Sequence, residues 1–111
     1  AAAHELPPAL VFGVMTVEND AYRSTARSSR GAHGLMQIMG HVWLPVLGER
    51  YGRNLSDDAT NLGMGSRILV ERLRVRGDVD EALLDYNGCR GALVTARCRG
   101  YARAVRRAVE G

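Results

Sequence analysis

Glu18 is the acid whose setting best suits proton transfer. It closes the run Val14-Met15-Thr16-Val17-Glu18, an otherwise apolar stretch. A carboxyl group among apolar neighbours is partly desolvated, which raises its pKa and keeps it protonated as a general acid. The plainer reading is a helix-end charge satisfied by a backbone or arginine partner. Asp20 stands two positions on. On a helix that turns it about 200° from Glu18, so the two form no side-by-side carboxylate pair. A second group is Gly34-Leu35-Met36-Gln37-Ile38-Met39. Gly31 and Gly34 permit close backbone approach or positive φ, as the floor of a cleft requires. Gln37 carries an amide donor and acceptor that suit hydroxyl and N-acetyl groups. Met36 and Met39 offer soft apolar contact, or simply core packing. A third group is Tyr86-Asn87-Gly88, where a tyrosine hydroxyl could steady a carboxyl group.

These groups need a scaffold, and the hydrophobic spacing supplies helices. Pro7 and Pro8 suit a first helical turn, and Ala9 to about Tyr22 reads as helix, with Val11, Val14, Met15 and Val17 mostly on one side. Arg23 to Gly34 is polar and rich in Gly and Ser, which predicts an ordered loop. A short helix is expected over Leu35–Met39 and another around Val42–Tyr51. Ser56 is the expected N-cap of a long helix to about Arg76, with Leu62, Leu69 and Leu73 on its buried stripe and Gly77 as its stop. Along it, Arg67, Glu71 and Arg74 have ion-pair spacing. Asp78 can cap the next helix, through Ala82, Leu83 and Tyr86, and a last helix spans about Tyr101 to Val109. No segment alternates with period two for long. The fold class is therefore mostly α.

At 111 residues and 12.1 kDa the chain is expected to form one domain, residues 1–111. Its 46% hydrophobic and 24% charged content is that of a globular protein and argues against disorder. No apolar run approaches the roughly 18 residues of a membrane span, so no transmembrane segment is expected. All 15 basic side chains are arginine, which reflects genome composition rather than function. They are scattered among acids, and a net charge of +3 is no nucleic-acid footprint. His4, His33 and His41 lack ligand spacing with a carboxylate or cysteine, and no metal site is expected. Trp43, between Val42 and Leu44, reads as partly buried packing. Ala1-Ala2-Ala3 reads as the start of a mature, exported chain. Cys89 and Cys98 flank a turn-like segment, which fits either a local disulfide or a pair of thiols. A bridge closing so short a loop would contribute roughly 2.5–3 kcal/mol.

Taken in order, the motifs resemble the lytic transglycosylase SLT domain, which is similar to goose-type lysozyme. The resemblance rests on Val17-Glu18 with Tyr22, then on Ser28-x-x-Gly31-Ala32-x-Gly34-Leu35-Met36-Gln37-Ile38-Met39. It continues through Asn61, which opens N-x-G, and Ala82-Leu83 leading into Tyr86-Asn87. It covers roughly residues 9 to 107. The G-A-x-G-L-M-Q-I-M string is its specific part. The resemblance implies a lysozyme-like single helical domain with Glu18 as the one catalytic acid/base. Ser28, Gln37, Met39, Tyr86 and Asn87 would bind or support substrate, with Tyr86 hydrogen-bonding near the Glu18 carboxyl. Tyr86-Asn87-Gly88-Cys89 with Cys98 and then Tyr101 looks like a subset of the family with a disulfide-closed loop. That subset is associated with envelope-spanning secretion or conjugation systems. Four positions depart from the family pattern. Asn19 stands where serine is usual, Gly40 replaces a proline, and Gly88-Cys89 replaces Ala-Gly.

The activity so implied is non-hydrolytic cleavage of the β-1,4 bond between N-acetylmuramic acid and N-acetylglucosamine in peptidoglycan. It leaves 1,6-anhydromuramyl ends and needs no cofactor, in a periplasmic or otherwise exported setting. Hydrolytic glycosidases generally use a second carboxylate, whereas here Glu18 alone is expected. The alternatives are a goose-type-like muramidase that uses water, or a weakly active peptidoglycan-binding component of an envelope secretion or conjugation apparatus. A small basic nucleic-acid binder would explain the charge but not the G-A-x-G-L-M-Q string.

Overall fold

The computed structural model describes residues 8–19, 22–29, 31–87 and 96–110. Asp20, Cys89 and His4 lie outside these residues. Among the described residues five helices and a two-stranded hairpin follow in the order α1 (Pro8–Glu18), β1 (Ala32–His33), β2 (Ile38–Met39), α2 (Gly40–Tyr51), α3 (Asp58–Arg76), α4 (Val79–Tyr86) and α5 (Ala96–Glu110). The fold is mostly α, as the periodicity predicts. No helix among the described residues is long and apolar enough to cross a membrane.

α1 ends at Glu18, earlier than the expected limit near Tyr22. Asn19 adds one last helical N–H bond to the Met15 carbonyl, and its side chain then turns the chain. Its Oδ1 accepts the Arg23 N–H at 3.2 Å and its Nδ2 donates to the Arg23 carbonyl at 2.7 Å. Asparagine side chains compete in this way with the helical ladder. Tyr22 follows with φ 52°. α1 packs directly on α5, and Gly13 is what permits the approach, since a Cβ there would fall 2.8 Å from Val109 Cγ2.

The segment expected to be a short helix, Leu35–Met39, is a turn running into β2. β1 and β2 pair antiparallel, Ala32 with Met39 and His33 with Ile38. The turn between them holds Gly34 at φ 76° and Gln37 at φ 52°, left-handed conformations that a right-handed helix cannot contain. The Gln37 side chain compensates locally, its Nε2 donating to the Gly34 carbonyl at 2.9 Å. Gly40, which departs from the resembled pattern, becomes the first residue of α2.

α3 is the central element. Its N-cap is Asp57, one residue past the expected Ser56, because the Asp57 carboxylate accepts both the Thr60 N–H at 3.0 Å and the Thr60 hydroxyl at 2.9 Å. A negative group also complements the positive helix N-terminus. Gly77 stops α3 at φ 67°, its N–H on the Leu73 carbonyl, and Asp78 caps α4 by accepting the Glu81 N–H. Of the expected stripe only Leu69 is buried. Met64, Ile68 and Val70 join it, while Leu62 and Leu73 are half-buried. The core gathers Leu10 and Val14 of α1, Met36 and Ile38 of the hairpin, Met64, Ile68 and Leu69 of α3, Leu83 of α4 and Val105 of α5. The Arg67–Glu71 and Arg74–Glu71 pairs form at 3.0 and 3.8 Å. α5 begins at Ala96, five residues before the expected start.

Candidate active site

The end of α1 delivers Glu18 to a cavity of about 610 Å³. Two local facts set its chemistry. Its carboxyl is mostly withdrawn from water, and burial lifts its pKa from the ordinary 4.5 to about 7. Against that, the Tyr101 hydroxyl donates to Glu18 Oε2 at 2.9 Å, which favours the carboxylate and partly offsets the rise. At neutral pH the group is thus poised between acid and base.

Tyr101 comes from α5, 83 positions away in sequence. A second tyrosine, Tyr86 at the end of α4, lies close enough for Glu18 to raise its pKa, although burial is the larger cause. The expectation that Tyr86 hydrogen-bonds near the Glu18 carboxyl is corrected in one respect. The Tyr86 hydroxyl donates to the Met36 carbonyl at 2.8 Å, and the hydroxyl on Glu18 is that of Tyr101. Burial also pushes the Tyr101 phenol up, aided by Glu18. Both phenols therefore stay protonated donors through neutral pH.

The six residues singled out from the sequence, Glu18, Ser28, Gln37, Met39, Tyr86 and Asn87, all line this one cavity. Ser28 Oγ accepts the Ala32 N–H at 3.0 Å and so ties the preceding loop to β1. Gln37 spends its Nε2 on the Gly34 carbonyl, with a longer contact of 3.4 Å to the Ala26 carbonyl. What it can offer a ligand is therefore the Oε1 acceptor rather than both amide functions. The two methionines part company. Met36 is fully buried core, whereas Met39 is half-buried and faces the cavity. Trp43, expected as packing, is half-buried and also contributes to the cavity wall.

Three contributors escaped the sequence reading. Tyr101 was legible only as part of the cysteine-loop pattern, because nothing local connects it to Glu18. Arg72 and Asp85 line the cavity from α3 and α4. The Asp85 side chain is only 1% exposed and lies 3.6 Å from Arg76 Nη1, so it is held by a cation of the protein. Asn19, which stands where the family usually has serine, is itself buried and holds the chain just after Glu18. Cys98 is buried against Leu84, but its expected partner Cys89 lies outside the described residues.

The geometry sets the Glu18 carboxyl, poised near neutral pH, in a cleft, and the comparisons with known proteins agree on where it belongs. The family model described as the transglycosylase SLT domain matches residues 1–107. The chain belongs to the transglycosylase SLT domain family. Its helical architecture is the lysozyme-like fold expected of that family. It is also 39% identical over 88 residues to a protein named transglycosylase from Enterobacteria phage PRD1. That match covers 78% of this chain and 31% of the phage protein, so this SLT domain spans about a third of that relative's length. No solved structure matches the chain.

Proposed function

We propose that this domain is a peptidoglycan lytic transglycosylase, with Glu18 acting first as acid and then as base. The observation that carries the reading is the Glu18 carboxyl, lifted by burial to a pKa of about 7 and held by Tyr101 at the wall of the cleft. Protonated Glu18 donates to the glycosidic oxygen between N-acetylmuramic acid and N-acetylglucosamine, and that bond breaks to free the N-acetylglucosamine hydroxyl. The 2-acetamido group stabilises the oxocarbenium-like centre at C1. Glu18, now a carboxylate, takes the proton of the muramyl C6 hydroxyl as the C6 oxygen closes onto C1. Glu18 ends protonated and no water is consumed. Ser28, Gln37, Met39, Tyr86 and Asn87 then serve as substrate contacts and supports along the cleft. The similarity to the phage transglycosylase supports the same reaction class. Such a substrate sets the domain in the bacterial cell envelope, an oxidising location in which a Cys89–Cys98 bridge would close the loop after α4. The cysteine-loop resemblance is the support for recruitment by an envelope-spanning secretion or conjugation apparatus.

One observation favours a second reading. Asp85 places another carboxyl group in the cavity wall, and a hydrolytic muramidase uses two. Its pairing with Arg76 weighs against it as a general base. Mass spectrometry of digested peptidoglycan separates the two. Fragments lighter by one water at the muramyl end are expected, and Glu18→Gln should abolish them. Hydrated reducing ends throughout would establish hydrolysis instead. Sacculus binding by wild type and Glu18→Gln alike, with no fragments from either, would make the domain a binding module.

A further inference from the structure

Among the described residues two asparagines are buried, Asn19 and Asn61, and both direct their amides to the same turn. Asn61, on α3, is wholly withdrawn from solvent. Its Oδ1 accepts the Met36 N–H at 2.8 Å, and its Nδ2 donates to the His33 carbonyl at 2.8 Å and the Leu55 carbonyl at 2.9 Å. Asn19, adjoining Glu18, reaches the Gly34 carbonyl with Nδ2 at a longer 3.4 Å. That carbonyl also receives Gln37 Nε2. The fit around Gly34 is tight, since a Cβ there would stand 2.2 Å from Asn61 Nδ2.

Buried amides are costly unless satisfied, and a turn can be built without them. What these two connect explains their placement. Met36, gripped by Asn61 through its N–H, offers its carbonyl to the Tyr86 hydroxyl at 2.8 Å. Tyr86 in turn lies beside Glu18. The 33–37 turn thus joins α3 to Tyr86 on one side and the end of α1 to Gln37 on the other.

We propose that Asn61, seconded by Asn19, is a positioning residue of the reaction, holding Tyr86 and Gln37 in register with Glu18. This rests on the transglycosylase reading, but the clamp itself has a readout that does not. In Asn61→Ser, amide exchange at Met36 and the side-chain resonances of Tyr86 and Gln37 should change by NMR. Turnover should fall about 10- to 100-fold with KM little changed, as misplacement of reacting groups produces. Leu69→Val, which trims the α3 core about two helical turns beyond Asn61, is the control for lost stability and should keep kcat at temperatures where it is folded. Where Asn61→Ser does not fold, Asn19→Ala tests the weaker grip, and a several-fold fall in kcat at constant KM is expected. The proposal is overturned if folded Asn61→Ser, or folded Asn19→Ala where the first is lost, matches wild type in kcat. It is equally overturned if Leu69→Val loses as much. Absence of anhydromuramyl product from wild type would sink the transglycosylase reading instead, and altered Met36 exchange and Tyr86 resonances would still report the clamp.

Discussion

Replacing Glu18 by glutamine should make the protein more stable than wild type in alkaline solution while leaving the two alike in acid. Burial lifts the Glu18 carboxyl from 4.5 to about 7. In the unfolded chain the same group ionises near its ordinary value. Below that value both states hold the proton and burial carries no electrostatic penalty. Between 4.5 and about 7 the unfolded chain has released a proton that the folded protein keeps. Wild-type stability therefore falls with rising pH, by about 1.4 kcal/mol per pH unit. Above about 7 both states are ionised and the loss levels off, at about 3 kcal/mol for the whole interval. Glutamine retains an acceptor for the Tyr101 hydroxyl and never ionises, so it escapes the penalty. Urea denaturation of both proteins at about pH 4, 6 and 8.5 measures the difference directly. The variant's advantage should grow from near zero to about 3 kcal/mol across that series. A pH-independent difference, or one that shrinks as the solution becomes alkaline, would refute the claim that Glu18 is held protonated by burial.

Three further predictions concern the site and its scaffold. Tyr101→Phe removes the hydrogen bond that favours the Glu18 carboxylate, so the alkaline limb of kcat/KM should move up by about one pH unit. A limb that stays put or moves down would contradict this. Gly34→Ala combines φ 76° with a Cβ 2.2 Å from Asn61 Nδ2 and 2.6 Å from the Leu55 carbonyl. It should cost about 2 kcal/mol or more in denaturant unfolding. Asp57→Ala deletes the side-chain cap of α3 and should cost about 1 kcal/mol with activity unchanged at temperatures where the variant is folded.

Much of the scaffold could be read from local signals, for identifiable reasons. Gly77 and Asp78 mark the end of one helix and the start of the next because capping chemistry acts within a turn of the chain. The pairing of Arg67 with Glu71 follows from helical spacing alone. The failures share a cause as well. Leu35–Met39 has the composition of a helix, but the left-handed conformations of Gly34 and Gln37 turn it into a hairpin. α1 stops at Glu18 because the Asn19 side chain takes over the backbone groups of Arg23. The leucines predict the stripe on α3, whereas burial follows what stands opposite, so Met64, Ile68 and Asn61 are inside. Ser56 and Asp57 are adjacent, and both are good caps. The contact with Thr60 decides between them.

For the site, residue types single out Glu18, Gln37, Met39 and Tyr86, the family resemblance adds Ser28 and Asn87, and all six meet at one cavity. Amino-acid sequence by itself determined the helical class and the family, and it pointed to Glu18 as the candidate acid. These depend on periodicity, on motif spacing and on one carboxyl placed in apolar surroundings. Tertiary structure alone decided which hydroxyl bonds that acid, since Tyr101 reaches it from 83 residues away while Tyr86 is turned to the Met36 carbonyl. It also decided that Asn61 is a fully buried hub and that Asp85 is drawn to Arg76. Each of these is a hydrogen bond or ion pair between distant segments, made by packing α1, α3, α4 and α5 around the hairpin, and no local pattern encodes such a distance.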